Sequence, residues 1–274
     1  MAEKDPQFAA AVDPPVVLKV PGMEDVLVDP NLSYCGSEDA NLRMDVYRSS
    51  SRPDGATSPI VVLVHVGAGA DLQPKDWGVF RSWGRLLAAS GMIAAVFTHR
   101  LAPPPNSLLA EAASDLDHAV DFVRQNALKW NADPQRICVM VWSAGGPLMT
   151  GLLRERPSWL RCIVALYPLL DLQQYASAAP PEVHAFLRSF SPISFVEGGT
   201  LPPVFIARAG RDSIPLLNDA LDRFVSAALA ANACITLVNH PDGAHGFDNQ
   251  SDNDRTREIL RSAIEFARHH LRLS

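Results

Sequence analysis

This sequence has few cysteines, no very long apolar run and no excess of positive charge. Its 274 residues include four cysteines, and none of these forms a Cys-x-x-Cys pair, which argues against a zinc site. No stretch approaches the roughly 20 apolar residues that a membrane-spanning helix needs. The net charge of −6 disfavours nucleic acid and anionic membranes as main partners. The sequence therefore predicts no metal, no membrane partner and no nucleic acid partner.

The cysteines and the first residues bear on the cellular compartment. Cys138, Cys162 and Cys234 lie in apolar runs, where a free thiol behaves as a small buried hydrophobic side chain. Free thiols of this kind fit a reducing compartment. Residues 1–18 mix charges of both signs and contain no long apolar segment of the signal-peptide type. We expect a cytoplasmic protein, and the sequence leaves its oligomeric state open.

Segments of strand and helix character alternate along most of the chain. Runs rich in β-branched residues, such as SPIVVLVHV and ICVMVW, are typical of strands that are buried on both faces. Between residues 107 and 128, and again at about 215–231 and 253–271, the pattern predicts helices. We therefore expect an α/β fold with a mostly parallel central sheet and helices on both faces. The length suits a single domain over residues 1–274.

Two segments stand outside this alternation. Residues 1–25 are rich in proline and show no periodicity, which predicts an arm on the surface. Residues from about 172 to 200 form a connection that is long for a compact domain, and such insertions often serve as lids. We expect a small cap there, with one or two helical turns around residues 182–190.

A serine lies on a predicted tight turn between a strand and a helix. Residues 139–146 read VMVWSAGG, in which an apolar strand runs directly into Ser143 and then into small residues. Such a turn has a strained backbone and pushes the serine hydroxyl out of the edge of the sheet. The next amide, that of Ala144, would lie at a helix N-terminus, which favours an anion. An ordinary helix N-cap at Ser143 is the alternative. Trp142 could form a wall of the pocket or belong to the core.

The segment HVGAG follows the buried run VVLV and predicts a loop that stabilises negative charge. An oxyanion needs at least two donors in place before the reaction, and the loss of one typically costs roughly 2.7–4 kcal/mol of barrier. Backbone amides of Val66 and Gly67, beside that of Ala144, are our candidates for an oxyanion hole. We expect His65 to hold the loop by hydrogen bonding rather than to react.

An acid and a base follow the last two predicted strands. Asp212 comes after PVFIARAG, and His245 lies in a glycine-flanked loop after ITLVNH. With Ser143 they occur in the chain order Ser, Asp, His, each beyond a strand, where sites form in an open α/β sheet. His245 could then deprotonate Ser143 and later protonate the leaving group. Asp171 is the alternative acid and His240 the alternative base.

These motifs resemble those of the α/β-hydrolase superfamily, and within it the compact carboxylesterases of the hormone-sensitive-lipase and dienelactone-hydrolase branches. MDVY, THRLAP, SAGG and HGF carry the resemblance, which extends from about residue 40 to the end. It implies a mechanism with an acyl-serine intermediate and no metal or cofactor. It also implies a small-molecule ester as substrate.

Two departures from the family pattern affect the expected site. Val141 replaces the first glycine of G-x-S-x-G, and its branched side chain could tilt the serine turn unless a smaller neighbour absorbs it. HVGAG replaces H-G-G-G, so we expect a stiffer loop and a narrower pocket that favours small acyl groups. Hydrolysis of small to medium acyl esters is the leading prediction. An amide or lactone hydrolase, arylformamidase-like or dienelactone-like, and a catalytically silent fold that binds a small ligand remain as alternatives.

Overall fold

The computed structural model describes residues 11–36, 39–51, 57–102, 108–178, 180–196 and 201–273. These residues form one eight-stranded sheet, with strands β1 (Leu27–Ser33), β2 (Arg43–Arg48), β3 (Ser58–Val64), β4 (Ile93–Phe97), β5 (Ala132–Trp142), β6 (Leu160–Leu166), β7 (Val204–Ala209) and β8 (Ile235–His240). The order across the sheet is β1-β2-β4-β3-β5-β6-β7-β8. β2 pairs with both β1 and β4 in antiparallel fashion. The other neighbouring pairs, in the order β4-β3-β5-β6-β7-β8, are parallel.

Helices cover both faces of this sheet. They are α1 (Gly78–Ala89), α2 (Leu109–Gln125), α3 (Thr150–Glu155), α4 (His184–Ser189), α5 (Leu217–Ala230), α6 (Phe247–Gln250) and α7 (Asp254–His270). Helices α1 and α7 bury their apolar residues against one face, and α2, α3 and α5 bury theirs against the other. The predicted mostly parallel sheet with two helical layers is confirmed.

The central strands show why the sequence folds in this way. Alternate side chains of a strand point to opposite faces, and in β3 Ile60 and Val62 enter one core while Val61 and Leu63 enter the other. All four are essentially inaccessible to solvent. A strand with helices on both sides therefore needs a continuous apolar run, which the sequence supplies here.

Two side chains are placed differently from what the sequence patterns suggest. Asp115 of α2 is fully buried although it is acidic, and it is held by the Arg100 guanidinium at 2.7 Å and by the Arg100 amide at 2.9 Å. Cys234 is exposed rather than buried, because it precedes β8, which is the edge strand of the sheet. Cys138 and Cys162 are buried as expected.

The N-terminal segment packs into the molecule over the part that is described. Val12, Val16 and Leu18 are buried, and the Val17 amide donates to the Asp248 carbonyl at 2.9 Å. The expected surface arm is therefore anchored from residue 11 on, and residues 1–10 lie outside the described residues. A Cβ at Gly78 would lie 1.7 Å from the Asp13 carbonyl oxygen, so the arm crosses the start of α1 in direct contact.

The segment expected to form a cap contains short helices. They are 3₁₀ turns at Gln173–Ala178, Pro181–Val183 and Pro192–Phe195, together with α4. The helical turns expected around residues 182–190 are present. Residues 179 and 197–200 of the segment lie outside the described residues.

Candidate active site

Ser143 lies at the sharp turn from β5 into a 3₁₀ helix, Ser143–Met149. Its φ is +49°, a left-handed conformation that is strained for a residue with a side chain. A Cβ at Gly145 would lie 2.7 Å from the His65 carbonyl oxygen, and one at Gly146 would lie 2.3 Å from that of Leu169. Small residues are thus required after the serine, because two neighbouring loops approach the turn this closely.

Val141 does not disturb this turn. Its side chain is fully buried in the core, and its neighbour in register on β6 is the small residue Ala165. Ser143 keeps the strained conformation two residues later. The branched side chain of Val141 is thus accommodated beside a smaller neighbour on β6.

Asp212 and His245 meet beyond the ends of β7 and β8. The His245 Nδ1 lies 2.6 Å from an oxygen of the Asp212 carboxylate, whose side chain is completely shielded from solvent. Backbone hydrogen bonds join the two loops, from Gly210 to the His240 carbonyl at 2.8 Å and from Arg211 to the Gly243 carbonyl at 2.9 Å. Because a carboxylate only accepts, the imidazole donates from Nδ1, which leaves Nε2 free to accept a proton.

The alternative acid and the alternative base have other partners. Asp171 accepts two hydrogen bonds from the Arg223 guanidinium, at 3.0 and 3.2 Å, and one from the Gln173 amide. His240 is buried, and its Nε2 lies 3.0 Å from the Thr256 hydroxyl. The geometry therefore favours Asp212 and His245 for the two roles.

Ser143 and His245 line the same cavity. In the described part of the chain His245 hydrogen-bonds Asp212, and it does not hydrogen-bond the Ser143 hydroxyl. Hydrogen bonds of this kind are often long without substrate and shorten in the reacting complex. The serine and the imidazole thus face one space, with the imidazole Nε2 unengaged and Asp212 buried behind it.

The predicted oxyanion loop lies directly beside the serine turn. A Cβ at Gly67 would lie 3.1 Å from the Ala144 Cβ, so the two backbones are in close contact. Among the hydrogen bonds of the described residues, none uses the amide of Val66 or Gly67 as donor. The Ala144 amide is in the first turn of its helix, where amides have no acceptor within the helix. Three backbone donors therefore lie close to Ser143.

Two buried histidines support this loop. The His65 Nδ1 donates to the Val66 carbonyl at 2.6 Å, and its Nε2 accepts from the His99 amide at 3.0 Å. The rings of His65 and His99 stack with their centroids 3.4 Å apart. Burial lowers the pKa of His65 to about 3, and burial together with the neighbouring His65 lowers that of His99 as well. Both imidazoles are therefore neutral, and His65 holds the loop as expected.

The cavity above Ser143 is large and apolar. Its volume is about 1040 Å³, and its described lining includes no Asp, Glu, Lys or Arg side chain. Trp142 lines the cavity and is also buried, so it is both a wall of the pocket and a core residue. A cavity of this volume is not the narrow pocket that the HVGAG sequence suggested. Ala68 of this loop is buried in the core, and Val66 is its branched residue on the cavity wall.

Sequence reasoning missed several residues at the site. Tyr167 follows β6 and contacts His245, with ring centroids 4.6 Å apart. Asp248 is fully buried three residues after His245 and accepts hydrogen bonds from Tyr167 and Trp142. Val12 of the arm lines the cavity. The position of an acidic residue directly after the HGF motif was the available signal for Asp248.

The sequence of this chain is similar to those of known proteins. The profile of the BD-FAE family matches residues 44–220, which is more than half of the chain. The chain belongs to the BD-FAE family. This match includes Ser143 and Asp212 and ends before His245.

Esterases are among the relatives of this BD-FAE member. An acetylxylan esterase from Xylanibacter ruminicola is 23% identical over 188 residues, which cover 64% of this chain and 36% of that protein. The chain thus spans about a third of the length of that relative. A butyrate-bound thermophilic esterase from Thermogutta terrifontis is 23% identical, with a TM-score of 0.68 and coverage of 92% of this chain and 95% of the other. Esterase B from Lactobacillus rhamnosis is 18% identical, with a TM-score of 0.68, over 92% and 90% of the two chains. These structures confirm the α/β-hydrolase fold.

Two further properties concern the described residues alone. They contain no cluster of three or more His, Cys, Asp or Glu side chains that could hold a metal ion. None of their helices combines the length and the apolar character that crossing a bilayer requires.

Proposed function

We propose that this protein is a serine hydrolase that cleaves carboxylic esters. One observation carries the proposal: the strained Ser143 and His245 line the same cavity, and the buried Asp212 holds His245 at 2.6 Å. The membership of the BD-FAE family and the esterases of the same fold support it.

The mechanism follows from the roles that the contacts allow. The His245 Nε2 takes the proton of Ser143 as its oxygen attacks the ester carbonyl, and Asp212 stabilises the imidazolium that forms. The amides of Val66, Gly67 and Ala144 donate to the oxyanion. His245 then protonates the departing alcohol, and a water molecule, deprotonated by His245 in turn, hydrolyses the acyl-serine.

The cavity wall favours neutral, apolar esters. The Nε1 of Trp77 donates to the Leu72 carbonyl at 3.0 Å, and the Nδ2 of Asn249 donates to the Ala11 carbonyl at 2.7 Å. These donors are therefore not free for the many hydroxyl groups of a sugar chain. The volume accommodates a small to medium acyl group together with an apolar alcohol, and we propose that residues 172–200 act as the cap over it.

Turnover of p-nitrophenyl esters from acetate to decanoate tests the proposal. We expect turnover of the acetate and butyrate esters, with Ser143→Ala inactive but folded. Ser158→Ala is the matched control, since Ser158 lies in a turn outside the cavity lining, and it should retain activity. A wild-type protein that folds but hydrolyses no ester would overturn the proposed function, and a preference for decanoate would overturn the acyl range.

The cysteines support a location in the cytoplasm. Cys138 and Cys162 are partners in register on β5 and β6, and both are free thiols. Adjacent strands bring Cα atoms within the range that a disulfide can bridge. Free thiols at such a distance fit a reducing compartment, which a thiol count on protein isolated from its native cells under alkylating conditions would test.

A further inference from the structure

A buried carboxylate lies beneath the proposed active site. Asp248 is fully inaccessible to solvent and accepts three hydrogen bonds from side chains. Trp83 of α1 and Trp142 of β5 donate to Oδ2 at 2.8 and 3.1 Å, and the Tyr167 hydroxyl donates to Oδ1 at 2.6 Å. One side chain therefore connects helix α1, the strand that leads into Ser143, and the residue that follows β6.

These partners of Asp248 are neutral. Among the ion pairs of the described residues none includes Asp248, whereas the buried Asp45 pairs with Lys75 at 3.2 Å. A buried carboxylate without a cation is costly, and three good hydrogen bonds offset part of that cost. The short bond to Tyr167 is of the strong, charge-assisted kind. The hydrogen bonds therefore fix the three side chains that donate to Asp248 relative to one another.

Tyr167 links this carboxylate to His245. Its φ is +38°, so it shares with Ser143 a strained left-handed conformation at the end of a central strand. Its ring lies against the imidazole, with centroids 4.6 Å apart and planes inclined at 59°. Burial and the neighbouring Asp248 raise the pKa of Tyr167, so the hydroxyl keeps its proton and remains a donor.

We propose that Asp248 and Tyr167 are positioning residues for His245. Asp248 fixes the Tyr167 ring, and the ring packs against the imidazole that Asp212 holds at Nδ1. An aromatic face also attracts a cation, so the ring stabilises the imidazolium that forms when Ser143 loses its proton. The inference rests on the proposed ester hydrolysis, because its effect is felt only when His245 moves a proton.

Two conservative substitutions test the link from either end. Asp248→Asn keeps the shape and can still accept from both tryptophans, but it removes the charge. Tyr167→Phe keeps the ring and removes the donor. We expect each to lower kcat for p-nitrophenyl butyrate about tenfold with KM within about twofold, because the interaction acts on the transition state. The double variant should be no slower than the slower single variant.

Asp45→Asn is the matched control for the loss of a buried carboxylate. Asp45 is 6% exposed, accepts from the Asn31 amide at 2.7 Å and is not in the cavity lining. We expect this variant to lower the denaturation midpoint at least as much as Asp248→Asn while kcat stays within about twofold. A loss of kcat that simply follows stability in all three variants would overturn the inference.

The wild-type rate separates this inference from the proposed function. An active wild type whose folded Asp248→Asn and Tyr167→Phe variants keep their kcat overturns the positioning role alone. A wild type without turnover overturns the proposed function and the positioning role with it. If Asp248→Asn does not fold, Tyr167→Phe still decides the question, since it leaves the buried carboxylate in place.

Discussion

The two loops that flank Ser143 are stabilised by opposite means. On one side, the loop with Val66 and Gly67 rests on the stacked imidazoles of His65 and His99, which burial keeps neutral. On the other side, His245 is linked to two carboxylates, to Asp212 by a direct hydrogen bond and to Asp248 through Tyr167.

This difference matches the charge that each side would meet during the reaction. In the proposed reaction negative charge develops on the substrate oxygen near the amides of Val66 and Gly67, and a carboxylate there would oppose it. In the same proposal positive charge develops on His245, and carboxylates would stabilise it. The buried polar groups around this serine are thus arranged by the sign of the charge expected beside them.

The largest expected effect concerns Asp212, the acidic partner of His245. Asp212→Asn should lower kcat by ~10⁴-fold, because the imidazole then loses the partner that fixes its tautomer. Asp171→Asn removes the other acid considered, which is paired with Arg223, and should change kcat by less than about threefold. Steady-state kinetics on p-nitrophenyl butyrate measures both. A larger loss for Asp171→Asn would reverse the assignment.

The next effect concerns the contact between the serine turn and the loop of the proposed oxyanion hole. Gly145→Ala places a Cβ 2.7 Å from the His65 carbonyl oxygen, so the loop must move away from the serine. We expect kcat to fall roughly 10- to 100-fold, as for the partial loss of an oxyanion donor. Gly151→Ala is the control, because nothing lies within 4 Å of its Cβ position, and its kcat should be unchanged. Equal kcat values for the two variants would refute the close approach.

The smallest effect concerns the neutral histidines. The pKa of His65 is about 3 in the folded protein and about 6.5 when unfolded, so unfolding takes up a proton between these values. Its contribution to stability is complete above pH 6.5 and is lost as the pH falls toward 3. Within this window the free energy of unfolding should fall by up to about 1.4 kcal/mol per pH unit from this group.

Urea denaturation at pH 7, 6 and 5 measures this dependence. His65→Asn should show a flatter decline than the wild type, because the titrating group is gone. His118→Asn, which replaces an exposed histidine of α2, should keep the wild-type slope. Identical slopes for all three proteins would show that His65 is not buried in its neutral form.

Local patterns predicted the sheet well, and long-range contacts limited the prediction of the site. Continuous β-branched runs gave the central strands, and the position of Asp212 and His245 after strands was enough to expect them together. Asp248 was missed because its partners Trp83 and Tyr167 lie 165 and 81 residues away in the chain. The exposure of Cys234 depends on β8 being an edge strand, which strand order decides rather than local composition.

Reaction with a fluorophosphonate, followed by mass spectrometry of the digested protein, would show whether Ser143 is an activated nucleophile. Such a reagent needs an activated serine with an oxyanion hole beside it. We predict a single adduct on Ser143, formed far more slowly in His245→Ala and absent in Ser143→Ala. A folded wild-type protein that forms no adduct, or one that carries it on another residue, would contradict the account.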